Sequence, residues 1–196
     1  MMRMRRPSVC VSLLLLLPFA ASLNLPSPRR IEPVRWACDI LYARQRSRMG
    51  LTECQLGIDV ELQSAGERKG QGVFARRTIN QGELIGRYSA PVSNRETAAE
   101  SSYSFQLRGS PFVLDAQDPR RSNWLRFVNH SRRRDNCIPV PASVRFLGED
   151  INYAVVFQAS KRIEVGEELL FDYGTRYWDR MFPNRWDPQR ILIDYF

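Results

Sequence analysis

Short runs of alternating apolar and polar residues dominate the middle of this chain. In GIDVELQ (57–63) the apolar positions Ile58, Val60 and Leu62 recur every second residue, the period of a strand with one buried face. GVFARRTI (72–79), after Gly70 and Gly72, and GELIGRYSAPV (82–92), after Gln81-Gly82, predict two further strands. YSFQLRG (103–109) and PFVLD (111–115) read as a hairpin turning about Gly109-Ser110. The most strand-like runs are NYAVVFQAS (152–160) and ELLFDYG (168–174), rich in β-branched and aromatic residues. Helical signals are brief: NRETAAE (94–100) and NWLRFVN (123–129), each opened by an asparagine able to cap. The pattern predicts a mostly-β domain of many short strands with a few short helices.

The start of the chain breaks that rhythm. MMRMRRPSVCVSLLLLLPFAASLNLP begins basic, passes through an apolar run over 9–17 and reaches Ala20, Ala21 and Ser22. That order is the order of a secretory signal peptide over 1–22, and the run is shorter than the about 20 apolar residues that span a bilayer. An uncleaved buried segment is the alternative. Residues 23–52 set six arginines against Glu32 and Asp39. They read as an Arg-rich linker or as a transit-peptide-like segment, which behind a signal peptide makes a bipartite leader into a plastid. The domain proper is then 53–178, followed by an aromatic tail over 179–196.

Charge changes the picture less than its total implies. The chain carries +8, but residues 1–50 hold nine arginines and two acids, leaving 20 basic and 19 acidic residues elsewhere. A nearly neutral body lacks the footprint of a phosphate-backbone binder, so no direct nucleic-acid binding is expected. Arg132, Arg133 and Arg134 form a local basic run that reads as a solvated loop. Cys10, Cys38, Cys54 and Cys137 lack C-x-x-C spacing, which argues against a zinc cluster and a disulfide framework and leaves one bridge open. No metal, no stable membrane span and a monomer are expected.

Three segments carry candidate chemistry. Lys69-Gly70-Gln71-Gly72-Val73-Phe74-Ala75, alone, is a tight turn and a strand. Arg126-Phe127-Val128-Asn129-His130-Ser131, with Asn136-Cys137 after it, contains the chain's one histidine, which alone reads as a core residue. Gly166-Glu167-Glu168-Leu169-Leu170-Phe171-Asp172-Tyr173-Gly174, alone, is turn, strand and turn. In this order and at this separation they resemble the signature of the SET-domain protein-lysine methyltransferases: G-x-G, R-F-x-N-H-S and G-E-E-L-x-x-D-Y-G. INQGELIGRY, YSFQL, VLDA and AVVFQASKRIEVGEE add matches, so the resemblance runs from about 57 to 178.

The resemblance implies a β-clip fold of small curved sheets and a knot-like C-terminal crossing, with the N-H-S segment tucked beneath a loop formed by the later strand. It implies S-adenosyl-L-methionine as cofactor and a lysine-containing protein or peptide as partner. Asn129 and His130 would line the cofactor pocket, so that His130 is a pocket residue and not a general base. Lys69, Gly70 and Gln71 would wrap the same ligand with backbone groups, and Tyr103 would stand on the cofactor side. Tyr173 would be catalytic, its hydroxyl beside the reacting methyl and amine and in contact with the cofactor. Tyr88 would join it and line the lysine channel with Phe171 and Trp178. Tyr88 and Tyr103 also read as packed strand aromatics, and Trp178 as core. Phe171, where family members carry Phe or Tyr, implies more than one methylation.

Departures from the family pattern shape the substrate reading. Arg132 stands where a cysteine is frequent, Asp135 where a proline is, and Gln71 where an aromatic is. The cysteine-rich zinc modules that flank the domain in many histone methyltransferases are not seen, so Tyr177, Trp178 or the terminal aromatics would supply the channel wall. With the leader, this points to a non-histone substrate in a secretory compartment or plastid. A nuclear enzyme acting on chromatin and an inert SET-like binding module are the alternatives.

Overall fold

The computed structural model describes residues 42–43, 46–47, 50–94, 101–106, 112–146 and 149–181. The predicted signal peptide, most of the Arg-rich segment, the NRETAAE helix beyond Asn94, the turn at Gly109-Ser110 and the tail beyond 181 lie outside the described residues, as do Cys10 and Cys38. The chain divides into two compact units, and the site residues discussed below all belong to the one built from 52–140 and 155–196, while 141–154 belong to the other.

Strand β1 (Val60–Ser64) pairs antiparallel with β2 (Gln71–Ala75), Val60 facing Ala75 and Ser64 facing Gln71. A second sheet joins β3 (Leu84–Arg87), β8 (Cys137–Phe146) and β9 (Glu149–Ala159) with β9 in the middle. A third joins β4 (Val92–Asn94), β5 (Ser104–Gln106) and β6 (Phe112–Asp115) with β6 in the middle, so the expected hairpin of β5 and β6 is present. The last pair is two residues long on each side and parallel: β7 (Asn129–His130) with β10 (Leu170–Phe171). Side chains from β1, β2, β3, β9 and the intervening turns fill one core, where Val60, Val73, Ile79, Ile85, Phe157 and Ile163 are completely buried. Each large apolar side chain so buried contributes about 1.5–3 kcal/mol.

Several elements differ from the alternation pattern, each for a local reason. Ile58 lies in the turn before β1 and is 66% exposed, because the Asp59 carboxylate accepts the Gln55 N–H (2.8 Å) and closes a turn there. The run 82–92 breaks into β3 and β4. Asn123 Nδ2 donates to the Arg87 carbonyl (2.8 Å) and its Oδ1 accepts the Ser89 N–H (3.2 Å), holding the chain in a bend between them. With its amide spent on that strand end, Asn123 caps no helix, and Trp124–Phe127 is a single 3₁₀ turn. Strand β8 has no counterpart among the strands that the alternation pattern predicts. It carries Pro139 and Pro141, which a strand tolerates at the edge of a sheet, the position β8 occupies. Cys54 and Cys137 are buried free thiols, and no helix among the described residues is long and apolar enough to cross a membrane.

The crossing that positions the site is built around β10. On one edge, Ser131 N–H donates to the Phe171 carbonyl (3.2 Å). On the other, Asn136 N–H donates to the Leu170 carbonyl (2.9 Å), and the Asn136 side chain accepts the Leu170 N–H and donates to the Glu168 carbonyl, both at 2.8 Å. Segment 129–136 therefore grips β10 from both sides. Asn136 is 4% exposed, so its amide replaces a missing strand and satisfies backbone groups that water cannot reach. Asn136→Ala should cost about 2–4 kcal/mol by leaving a buried N–H and a buried C=O unpaired. A urea midpoint equal to that of the parent protein would show that this clamp contributes nothing.

Candidate active site

Strand pleating decides what β2 presents. Ala65 N–H donates to the Gly70 carbonyl (2.7 Å), so Gln71, opposite Ser64, turns its own N–H and C=O away from β1. On that outer edge Ala75 N–H donates to the Glu167 carbonyl and Leu169 N–H to the Val73 carbonyl. The Gln71 carbonyl, next along the edge, accepts Asn129 Nδ2 at 3.1 Å. The amides of Lys69 and Gly70 face inward instead, both donating to the Gly66 carbonyl at 3.1 and 2.9 Å. Of the three residues expected to wrap a ligand with backbone groups, Gln71 alone turns its backbone edge toward Asn129.

The two glycines of G-x-G have different causes. Gly70 has φ +70°, a left-handed conformation that L side chains rarely adopt, and the space beside it is open. Gly72 is needed for room: a Cβ there would sit 2.8 Å from Glu168 Oε1 and 2.9 Å from the Ala65 Cβ. The carboxylate in that gap belongs to Glu168, which nothing local in the sequence sets apart from Glu167. Glu168 Oε1 accepts Asn129 Nδ2 (2.9 Å), and Oε2 pairs with Lys69 Nζ (3.3 Å). Two acceptors on Nδ2 fix the Asn129 amide and leave its Oδ1 facing away from both.

Adjacent residues on a strand point to opposite faces, so His130 faces away from that polar cluster. Its Nδ1 accepts the Tyr173 N–H at 3.1 Å, with Asp172 Oδ1 at 3.7 Å. An accepting Nδ1 places the proton of the neutral ring on Nε2. The imidazole meets the Tyr173 ring edge-on at 5.2 Å and the Trp178 ring at 4.9 Å. Helix α1 (Thr175–Met181) supplies Tyr177 and Trp178, 4.7 and 6.3 Å from Tyr173 between centroids. Phe171 extends the cluster, 4.6 Å from Tyr173, 4.9 Å from Phe157 and 6.2 Å from Phe105. Tyr88, 7% exposed, packs on Phe105 and Phe157. Nothing in the sequence singles out Phe105, whose ring links Tyr88 and Phe171 at 5.8 and 6.2 Å between centroids.

The two phenols are engaged. Tyr173 OH donates to the Val128 carbonyl (2.8 Å), and Tyr88 OH donates to the Tyr103 carbonyl (2.9 Å). Burial pushes both above the usual phenol range, so at neutral pH each is a neutral hydroxyl. Tyr103 joins neither the polar cluster nor the aromatic one by its ring, which lies under the Arg126 guanidinium at 4.1 Å. Asn129, His130, Phe171, Tyr173 and Trp178 are brought together, with Lys69 and Gln71 on the Asn129 side.

Known proteins resemble this chain over the same region. The family profile of the SET domain matches residues 70–174. Histone-lysine N-methyltransferase EHMT1 of Homo sapiens is 31% identical over 166 residues, 80% of this chain and 12% of its own length. Histone-lysine N-methyltransferase EZA1 of Arabidopsis thaliana is 34% identical over 113 residues, 53% of this chain and 12% of its own length. N-lysine methyltransferase KMT5A-A of Xenopus laevis is 29% identical over 181 residues, 79% of this chain and 52% of its own length. This chain thus spans about an eighth of the first two and about half of the third. Among solved structures, an active polycomb repressive complex 2 in the stimulated state aligns at TM-score 0.54 with 25% identity, covering 76% of this chain and 18% of the other. KRYPTONITE in complex with mCHG DNA and SAH aligns at TM-score 0.50 with 30% identity, covering 62% of this chain and 24% of the other.

Alkaline titration tests the state of the phenols. With folded pKa values raised, Tyr88 and Tyr173 contribute stability that is complete below the unfolded phenol pKa of about 10 and is lost as pH rises past it. Ultraviolet titration of the folded protein should leave at least two of the seven tyrosines un-ionised until the chain unfolds, with Tyr177 also delayed by its burial. Full tyrosinate absorbance in the folded state near pH 11 is the contrary result.

Proposed function

The chain belongs to the SET-domain family, and we propose that it is a protein-lysine N-methyltransferase that uses S-adenosyl-L-methionine. One observation carries the reading: the grip of segment 129–136 on β10 puts Asn129, His130, Phe171 and Tyr173 in a single hydrogen-bonded unit. The residues present fit the cofactor. Asn129 Oδ1 and the outer edge of Gln71 supply polar partners, the space beside Gly70 is open, and the faces of His130, Tyr173 and Trp178 supply an aromatic wall. The solved KRYPTONITE complex contains SAH, which supports the same ligand class here. Bound there, the cofactor supplies an electrophilic methyl group on a sulfonium.

The chain's own residues then have three tasks. They must hold a lysine nitrogen in line with that methyl, and orientation of this kind is worth about 7–11 kcal/mol of barrier. They must favour the neutral amine, which costs roughly 4.6 kcal/mol at pH 7 for a lysine of ordinary pKa. They must also wall the channel that delivers it. Orientation outweighs the cost of the neutral amine, so no side-chain base is required. Neither candidate would serve as one. The Tyr173 phenol stays protonated, and His130 Nδ1 is occupied by the Tyr173 amide. Because the Tyr173 hydrogen is committed to Val128, its oxygen lone pairs are what it offers to the amine or methyl. Tyr88, Phe105 and Phe171 would wall the lysine channel, with Tyr177 and Trp178 completing it. Phe171 brings no hydroxyl to hold a water, which supports transfer of more than one methyl. The functional unit we assign is 53–178.

The substrate reading divides on two observations. The names of the human and Arabidopsis relatives specify histone lysine, which supports a chromatin substrate and the nucleus. Residues 1–52 support the non-histone reading with secretory or plastid import, on sequence alone. Offering purified histones and a whole-protein extract to the same preparation separates them, and residues 1–52 fused to a fluorescent reporter locate the compartment.

Labelled S-adenosylmethionine tests the central reading. The protein should bind it and transfer label to lysine, with di- or trimethylated product visible by mass spectrometry. Tyr173→Phe should lower turnover about 10²-fold, a loss typical of one transition-state contact, with little change in cofactor affinity. Binding without transfer to any protein would favour the inert module, and strictly monomethylated product would sink the role given to Phe171.

A further inference from the structure

We infer that Glu168 is a positioning residue: its carboxylate clasps Lys69 and Asn129 together and sets the face that Asn129 turns to the cofactor. The inference rests on the methyltransferase reading above. Two segments far apart in sequence meet at this one carboxylate, whose Oε1 accepts Asn129 Nδ2 at 2.9 Å and whose Oε2 meets Lys69 Nζ at 3.3 Å. Its side chain is 13% exposed, so the pair is shielded from the solvent that weakens surface ion pairs. The backbone beneath it cannot drift. The Glu168 carbonyl accepts Asn136 Nδ2, while Glu167 and Leu169 on either side are bonded to β2.

The contrast with the neighbouring acid is informative. Glu167 caps its own turn, accepting the Glu164 N–H at 2.8 Å, and reaches nothing in the site. Glu168 instead sets an orientation. An asparagine amide can present either its oxygen or its NH₂ to a ligand, and which one is fixed by its other partners. With Gln71 O and Glu168 Oε1 both on Nδ2, a flipped Asn129 would set an oxygen against two oxygens. Lys69, tied to the same carboxylate, keeps the 66–70 turn beside Asn129. Gly72 belongs to the device, because any side chain there would occupy the place of the carboxylate.

The test uses the full chain, first without ligand. Glu168→Ala should speed hydrogen exchange at the Lys69 and Gly70 amides about tenfold, the loss of one charge-assisted contact, with the thermal midpoint of the domain lowered only by the few degrees which one such contact accounts for. S-adenosylmethionine should then bind roughly tenfold more weakly and its KM should rise, while the KM for the protein substrate stays put. Glu168→Gln keeps an acceptor for Asn129 and loses the ion pair, so it should fall between. Gly72→Ala should displace the carboxylate and raise the KM for S-adenosylmethionine in the same way, with a larger fall in the midpoint because its Cβ also meets the Ala65 Cβ at 2.9 Å. Unchanged exchange in Glu168→Ala overturns the clasp. Faster exchange with parental cofactor affinity, or equal rises in both KM values, overturns the positioning role. Failure of the parent protein itself to bind S-adenosylmethionine overturns the methyltransferase reading, and the exchange result still decides the clasp.

Discussion

Everything in the site hangs on two residues of parallel ladder and the amide that completes it. β7 and β10 are too short to hold each other by backbone pairing alone, since a two-residue ladder offers little against the entropy of joining segments about 40 residues apart. Asn136 supplies the missing partner on the other edge of β10, with its backbone N–H and both ends of its side chain. The crossing is rigid for that reason, and every side chain with a chemical task is attached to it or leans on it.

That rigidity accounts for the division of the site into two halves. Alternation along β7 sends Asn129 to a polar side made with β2 and Glu168, and His130 to an aromatic side made with Tyr173 and Trp178. Tyr173 bridges both arms of the crossing: its amide is held by His130 and its hydroxyl by the carbonyl just before Asn129. A methyl donor with a polar end and a cationic sulfur suits such a border, where hydrogen-bond partners meet aromatic faces. In the proposed reaction the amine would be delivered along the aromatic side, without a base waiting for it.

Much of the fold was legible in the sequence. Alternation located β1, β2, β3, β6 and the inner part of β9, and the three motif blocks are the segments that meet at the crossing. What escaped shares one cause, dependence on partners distant in the chain. Asn123 looks like a helix cap until the ends of β3 and β4 claim its amide. Strand β8 looks forbidden by its prolines until its edge position is known. The run 168–174 reads as one strand, yet it splits: Glu168 and Leu169 pair with β2, and only Leu170–Phe171 pairs with β7. Gly72 carries no unusual backbone angle, and nothing local reveals that it makes room for Glu168. Asn136 stands a few places beyond the N-H-S block with no period to mark it, so its role as a surrogate strand could only be seen folded.

The most direct measurement is hydrogen exchange of the full chain with and without S-adenosylmethionine, read at single amides. The account predicts joint protection of Gln71, of Asn129 to Ser131 and of Tyr173 and Gly174, since one ligand would seat against all three segments. Protection confined to one segment, or none at saturating cofactor, contradicts the claim that the crossing builds a methyl-donor site.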